Sequence, residues 1–341
     1  MREHAMKLMN RDVLMKPLNP LAAIATAFLA AGLVVWITGG EPIEAYIALI
    51  QGAFGSESGL MNTIRYTLPI VMLGFSFSIC DRCGYFNIGQ EGQMYAAALM
   101  IAGVQVWFSD LPAVAMLPLM ILSAIAAGGI ICLVPAILKF LFGVNEIIIA
   151  MLVNYIIVLL TNYLLMYSSI ADTDKTSPMS ITILPSISRP VLIILALMII
   201  TAYALCLRSS APGYRLRMVG FNPHFAKASG IDTIKLILIV SFLGGAFSAL
   251  SASGEIFGEY HRIYTGFAAN LGFYGMTAAL IGSQSTLGLV LGALILGALQ
   301  SGSVSLSVMT DVPSELVLVV QGFVMLFATI SILQRWTRQS V

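Results

Sequence analysis

The chain has 341 residues; 59% are hydrophobic, only 10% are charged, and the mean hydropathy is +0.94. A soluble domain carries about 25% charged residues, so a surface that mostly faces water is excluded. The net charge of +1 comes without any dense basic patch, which excludes a nucleic-acid-binding surface.

A run of roughly 20 apolar residues is needed to cross a bilayer. Ten are read in chain order: Pro20–Thr38, Asn62–Cys80, Gly92–Phe108, Ala113–Leu138, Asn145–Tyr167, Pro190–Leu207, Thr233–Ser253, Ala268–Gly282, Thr286–Ser303 and Ser314–Leu333. The expected fold is an all-α integral membrane protein of about ten transmembrane helices. Its transmembrane domain covers 20–333, between a basic interfacial segment at 1–19 and a cytoplasmic tail at 334–341. The first run is too long and continuous for a cleaved signal peptide and is expected to remain as a span. The eighth is short, which suits a broken or re-entrant helix. Lys and Arg gather on the cytoplasmic side of membrane proteins and so set the orientation. With both termini inside, only Arg65, Lys175, Arg189 and Arg262 of the basic residues fall outside. Glu41, Glu44, Glu57, Asp172, Asp174, Glu259 and Asp311 join them there.

Two connections stand out. The external one, 168–188, is polar and rich in Ser and Thr, either a docking surface or a solvated connector. The cytoplasmic one, 208–232, has Pro212 and Gly213 to break the preceding helix and turn residues at Gly220, Asn222 and Pro223. Between them Tyr214–Val219 is expected to form a helix of about one and a half turns along the membrane surface. The segment reads as an ordinary basic loop or as a rigid contact for an external drive.

A polar cluster interrupts the third apolar region, where Asn87, Gln90, Glu91 and Gln93 stand at or inside the membrane. Such groups are costly in lipid and normally face a bundle interior or a water-filled path. Gly89 and Gly92 allow a helix break that exposes backbone groups to a cavity; the alternative is a cytoplasmic turn before the span. The pattern N-[IL]-G-x-x-G, ahead of an Ala-rich helix, begins at Asn87 and again at Asn270. Spans three and eight run in opposite directions in this topology, so the two copies suggest an inverted-repeat-like core with a site near the midplane. Asn154 and Tyr155 are expected to face other helices, lining a path or bonding a neighbour. Gly128–Gly129, Gly244–Gly245, Gly288 and Gly292 permit close helix approach.

Catalysis finds no support. His4, His224 and His261 all lie outside the spans, so no base is available beside a buried nucleophile. Cys80 and Cys83 form one C-x-x-C without a second pair, a poor metal site, and buried or cytoplasm-facing thiols are expected. No G-x-x-x-x-G-K-[ST] is present to cradle ATP phosphates. No metal or cofactor is therefore expected.

The segments DRCGYFNIGQEGQMYAAAL, VNEIIIAMLVNY, PGYRLRMVGFNPHFAKASGI and GFYGMTAALIGSQSTLGLVLGALILGAL resemble the permease subunits of sugar- and nucleoside-type ABC importers. That group includes ribose and branched-chain amino acid permeases, and the likeness runs from the first span to the last. The opening from Pro42 to Ser56 and the overall length are most similar to the longer nucleoside permease subunit. At Gly282-Ser283-Gln284 the chain departs from the Gly-Arg-Asn turn usual in the group, which bears on substrate more than on family.

The resemblance implies a multi-pass protein of the bacterial plasma membrane that conducts a small polar solute and performs no bond chemistry. Its implied partners are two ATP-binding subunits, a second permease subunit in a heterodimer, and an external substrate-binding lipoprotein. A nucleoside is the first expected substrate, with a simple sugar or a heterocycle such as riboflavin as alternatives. Asn87, Gln90, Glu91, Gln93, Asn154 and Asn270 are expected along the translocation path. Arg215, Arg217, Gly220 and Asn222 are expected to couple to the ATPase, the two arginines otherwise holding anionic lipid headgroups. An ion-coupled secondary transporter is the rival class. It would use mid-span acids, whereas Glu91, Glu146, Glu255 and Glu315 stand near span ends.

Overall fold

The computed structural model describes residues 25–37, 39–174, 176–282, 285–310 and 317–326. The segments 1–19 and 334–341, Ser283-Gln284, and the outer parts of the first and tenth expected spans lie outside the described residues. Among the described residues helix is the only extended regular structure, joined by two isolated β-bridges, Ala171 with Ser180 and Met179 with Tyr264.

The helices are α1 Ala25–Ile37, α2 Pro42–Phe54, α3 Glu57–Asp81, α4 Gln90–Trp107, α5 Ala113–Phe142, α6 Glu146–Tyr167 and α7 Arg189–Ser209. There follow α8 Ala211–Phe221, α9 Pro223–Ala228, α10 Thr233–Glu255, a π-helical turn Ile256–Tyr260, α11 Leu271–Ile281, α12 Thr286–Met309 and α13 Val317–Leu326. Among the described residues six are long and apolar enough to cross a membrane: α3, α5, α6, α7, α10 with its π turn, and α12. The bent pair α1 and α2 makes a seventh if it forms one span.

Several elements differ from the expectation. The segment opening at Pro42, to which no element is assigned between the first two expected spans, is a 13-residue helix, started by a proline in its first turn, where the missing N–H is no loss. Pro212 acts in the same way. It opens α8 instead of only ending α7, with the Ser210 hydroxyl accepting from Gly213 N at 3.2 Å, so α8 runs 11 residues rather than the six from Tyr214 to Val219. The 11 residues of α11 rise about 16 Å, roughly half of a ~30 Å hydrocarbon core.

One compact unit runs from Leu68 to Met276. At its centre lies α4, packed by α5, α6 and α10 and buried on nearly every face. Such a helix has little lipid to meet, so Gln90, Glu91, Gln93 and Gln105 can stand in it. Ala96, Ala97, Ala98 and Ala102 keep it slim. The α5–α10 crossing is closer still. A Cβ on Gly128 would come within 2.6 Å of the Gly245 carbonyl oxygen, so both helices need glycine there. Phe75 stacks on Tyr203 at 4.1 Å, and Tyr95 meets Phe267 edge-on at 4.8 Å.

The polar connection 168–188 belongs to the same unit and is not a solvated tether. Ser180 N, Ile183 N and Ile187 N each donate at 2.8 Å, to the carbonyls of Ile263, His261 and Phe257, and Leu184 N donates to the Gln105 side chain at 2.9 Å. Ser180 and Ile183 are fully buried. Two ion pairs add to the attachment, Arg262 with Asp172 at 2.6 Å and Arg189 with Glu259 at 3.0 Å.

The other unit joins the chain up to Thr67 with the chain from Thr277. Here α2 lies on α12, with Gly302 set against the Leu49 carbonyl and Gly52 against Ser305. Gln321 of α13 donates to Gln300 of α12 at 3.1 Å. Gly292 abuts the Ala278 carbonyl, where a Cβ would stand 3.0 Å away.

Candidate functional site

Four polar side chains from separate parts of the larger unit meet in its core. The Asn87 amide donates to Ser76 Oγ of α3 at 3.2 Å and to Gln93 Oε1 of α4 at 3.3 Å. Gln93 Nε2 donates back to Asn87 Oδ1 at 2.8 Å, closing an amide pair. Ser248 of α10 lies 2.8 Å from Gln93 Oε1 and 3.0 Å from Ser76 Oγ; its single hydrogen serves one of them at a time. Asn87 Oδ1 also accepts from Gly89 N at 3.3 Å, one of the unpaired donors at the start of α4. Asn87 and Gln93 are each 1% exposed, so an unpaired group here would be costly. The network is closed.

Gln90, equally buried, turns away from it and donates to the Leu73 carbonyl at 2.6 Å. Asn154 of α6 approaches from the other side: its Oδ1 accepts from Gly92 N, and its side chain reaches the Glu91 carboxylate. Gly92 is required, because a Cβ there would stand 2.8 Å from Asn154 Cα. Tyr155 departs from the expectation; it is 62% exposed and points away from the bundle.

The second motif copy packs against the first. A Cβ on Gly272 would touch Gln90 Cβ and Glu91 N at 3.3 Å, so the entry to α11 abuts the first turn of α4. The two asparagines nonetheless differ. Asn87 is buried, whereas Asn270 is exposed, with φ +64°, and turns the chain into α11. The structure thus gathers Asn87, Gln93 and the unforeseen Ser76 and Ser248 into one network. Glu91, Gln90 and Asn154 flank it, and Asn270 stands outside it.

The residues expected at the cytoplasmic contact divide as well. Arg215 is exposed on α8. Arg217 is half-buried and donates to the Leu207 carbonyl, tying α8 to the end of α7. Asn222 caps α9, accepting from His224 N and Phe225 N at 3.0 Å each. Gly220 lies directly against the Arg82 carbonyl, just past the end of α3, the helix that carries Ser76.

The cysteine reading meets buried, unbridged thiols at Cys80, Cys83 and Cys132 and an exposed one at Cys206. Burial pushes the Cys83 thiol up to about 12, which keeps it protonated and unreactive at neutral pH. Ser76 and Ser248 were missed because a lone serine in an apolar span reads as ordinary packing. Serines recur in both helices, but Ser76 and Ser78, two residues apart, do not share a helix face, and Ser251 bonds the Pro69 carbonyl instead of the network.

The family described as "Branched-chain amino acid transport system / permease component" matches residues 59–329, which include the whole network and α8. The chain belongs to this permease family. It is similar to the guanosine ABC transporter permease protein NupP of Bacillus subtilis, at 33% identity over 92% of this chain and 93% of that one. It is similar to the nucleoside ABC transporter permease protein NupB of Lactococcus lactis, at 26% identity over 92% and 91% of the two chains. It is also similar to the glucose ABC transporter permease protein TsgB13 of Haloferax volcanii, at 30% identity over 91% and 86%. No solved structure matches the permease significantly. The permease is a multi-pass membrane subunit of an ABC importer, and subunits of this kind are not themselves enzymes.

Proposed function

We propose that this permease conducts a nucleoside inward by alternating access, driven by ATP hydrolysis on partner subunits. The observation that carries the substrate is the likeness to the guanosine permease protein along 92% of the chain. The chain also resembles a second guanosine permease protein of Bacillus subtilis, NupQ, at 26% identity. That likeness to two proteins of one organism favours a heterodimer with a second, related permease chain. Two ATP-binding subunits and an external substrate-binding lipoprotein complete the assembly. About ten spans, both termini inside and an inverted-repeat-like core remain the reading of the whole chain, supported by the placement of Lys and Arg.

The polar network borders the path in this reading. Asn87, Gln90, Glu91, Gln93 and Asn154 cluster where α3, α4, α6 and α10 converge, and in the alternate state the closed pairs exchange partners. Asn270 serves it indirectly, by setting the entry of α11 against α4. The drive enters through α8: Arg215 meets the ATPase, Asn222 and Arg217 stiffen the joint, and Gly220 passes displacement to the Arg82 carbonyl and so to α3. A rigid, two-state contact of this kind can bias a membrane equilibrium by a few kcal/mol, whereas a loose loop cannot.

The test is uptake of radiolabelled guanosine into vesicles holding the permease with its companion subunits. Uptake should require internal ATP and the binding protein and should survive collapse of proton and sodium gradients. Gradient-driven uptake without ATP would assign the chain to the secondary transporters, and ATP-driven uptake of glucose alone would replace the substrate.

A further inference from the structure

The smaller unit holds a recess that the network does not use. It is bounded by α2, the start of α3 and the end of α12, and encloses 570 Å³. Small-molecule sites occupy roughly 300–1,000 Å³. Its polar lining comes from Gln51, Ser56, Asn62, Tyr66, Ser301 and Ser305. Its walls come close because glycines form them: a Cβ on Gly52 would stand 2.5 Å from Ser305 Cβ, and Gly59 abuts the Gly52 carbonyl.

Two features separate this recess from a packing defect. Among the described residues no charged side chain is part of its lining, and the one charge packed on that lining is Arg65, whose guanidinium lies over the Tyr66 ring. The side chains of Gln51, Asn62, Tyr66 and Ser305 make no hydrogen bond to another described residue, while Ser301 donates to the Gly59 carbonyl at 3.2 Å. The core network keeps its polar groups paired with one another; the recess leaves them available.

We infer that this recess is a second solute site, taking an uncharged polar molecule, which on the reading above is the nucleoside. Carboxamides offer a donor and an acceptor side by side, matching the edge of a heterocyclic base, and hydroxyls suit a sugar. Tyr66, whose ring the Arg65 guanidinium overlies 4.8 Å from its centroid, adds a phenolic hydroxyl to this set. A charged solute would lose hydration with no opposite charge to replace it. The open, hydrophilic lining gives weak retention, as a conduit needs, because a solute held tightly at the mouth would not move on. In the proposed orientation the connection from α2 to α3 lies outside, so the recess is open to solute from that side.

The experiment uses the full complex in right-side-out vesicles, with the four native cysteines replaced by serine. Asn62→Cys and Ser305→Cys report from the recess, and Ile43→Cys, 74% exposed on α2 and outside the lining, is the control. Each is treated with a membrane-impermeant maleimide, with and without millimolar guanosine, and guanosine uptake is measured on the same vesicles. Both recess positions should react about threefold more slowly with guanosine at twice its dissociation constant, and the control should not change. Undiminished reaction at both positions while uptake persists would overturn the recess and leave the transport reading standing. Protection by glucose and not guanosine would overturn the nucleoside assignment of the site. No uptake of guanosine together with no protection would overturn both.

Discussion

Asn87 and Asn270 occupy the same place in the same short motif, yet each is held by a different force. Asn270 is exposed in the left-handed region, which asparagine and glycine tolerate and β-branched residues do not. Asn270→Gly should therefore keep near-normal uptake, whereas Asn270→Val should lose about 1–2 kcal/mol of stability, read as a lower melting temperature. Asn87 answers to hydrogen bonding instead. Asn87→Leu strands Gln93 and Ser76, costing about 1–3 kcal/mol, and Asn87→Gly should do no better. Matching responses of the two positions would dismiss this division. The motif was legible as letters, but burial decides which asparagine is a network member. Burial depends on Ser76 and Ser248, hundreds of ångströms of extended chain apart at the second, which no local pattern joins to Asn87.

At the scale of elements, α8 illustrates how a short stretch acquires rigidity. Ser210 caps its start, Pro212 fixes its first turn, Arg217 holds the α7 carbonyl end and Gly220 touches the Arg82 carbonyl. A methyl group at 220 would meet backbone, which cannot rotate aside. Gly220→Ala is thus expected to displace α8 and abolish guanosine stimulation of ATP hydrolysis while the chain still inserts and binds its partners. Arg215→Glu should weaken that stimulation by about tenfold, the effect of ~1.4 kcal/mol, and Arg217→Glu should lower the yield of folded protein as well. Retained stimulation in both Gly220→Ala and Arg215→Glu would remove α8 from the coupling route. The helix itself is legible from its punctuation but its start is not, because Pro212 reads as a breaker of α7 and also opens α8. The 13 residues of α2 escaped detection because they are too short for a span and acidic at their start. Gly92–Phe108 was found through its apolar stretch, although α4 owes its place to helix contacts rather than to lipid.

For the molecule as a whole, composition alone separated membrane from water, and the long lipid-facing helices α5, α6 and α7 fell within a few residues of their expected bounds. These are the helices for which apolar content and exposure to lipid coincide. The orientation rests on Lys and Arg and is open to direct measurement. In a chain lacking the native cysteines, Thr173→Cys should react with an impermeant thiol reagent on intact cells, and Asn222→Cys only after permeabilisation. The reverse pattern would invert the topology and, with it, the roles given to α8 and to the recess.

The strap formed by 168–188 carries one further consequence, for anyone choosing where to lengthen this chain. Its serines and threonines make it the obvious place for an epitope or a fluorescent insert. Ser180, Ile183 and Ile187 are stitched to the turn after α10, and extra sequence between them would unpick that seam rather than hang from it. A polar stretch can be upholstery fixed to the frame.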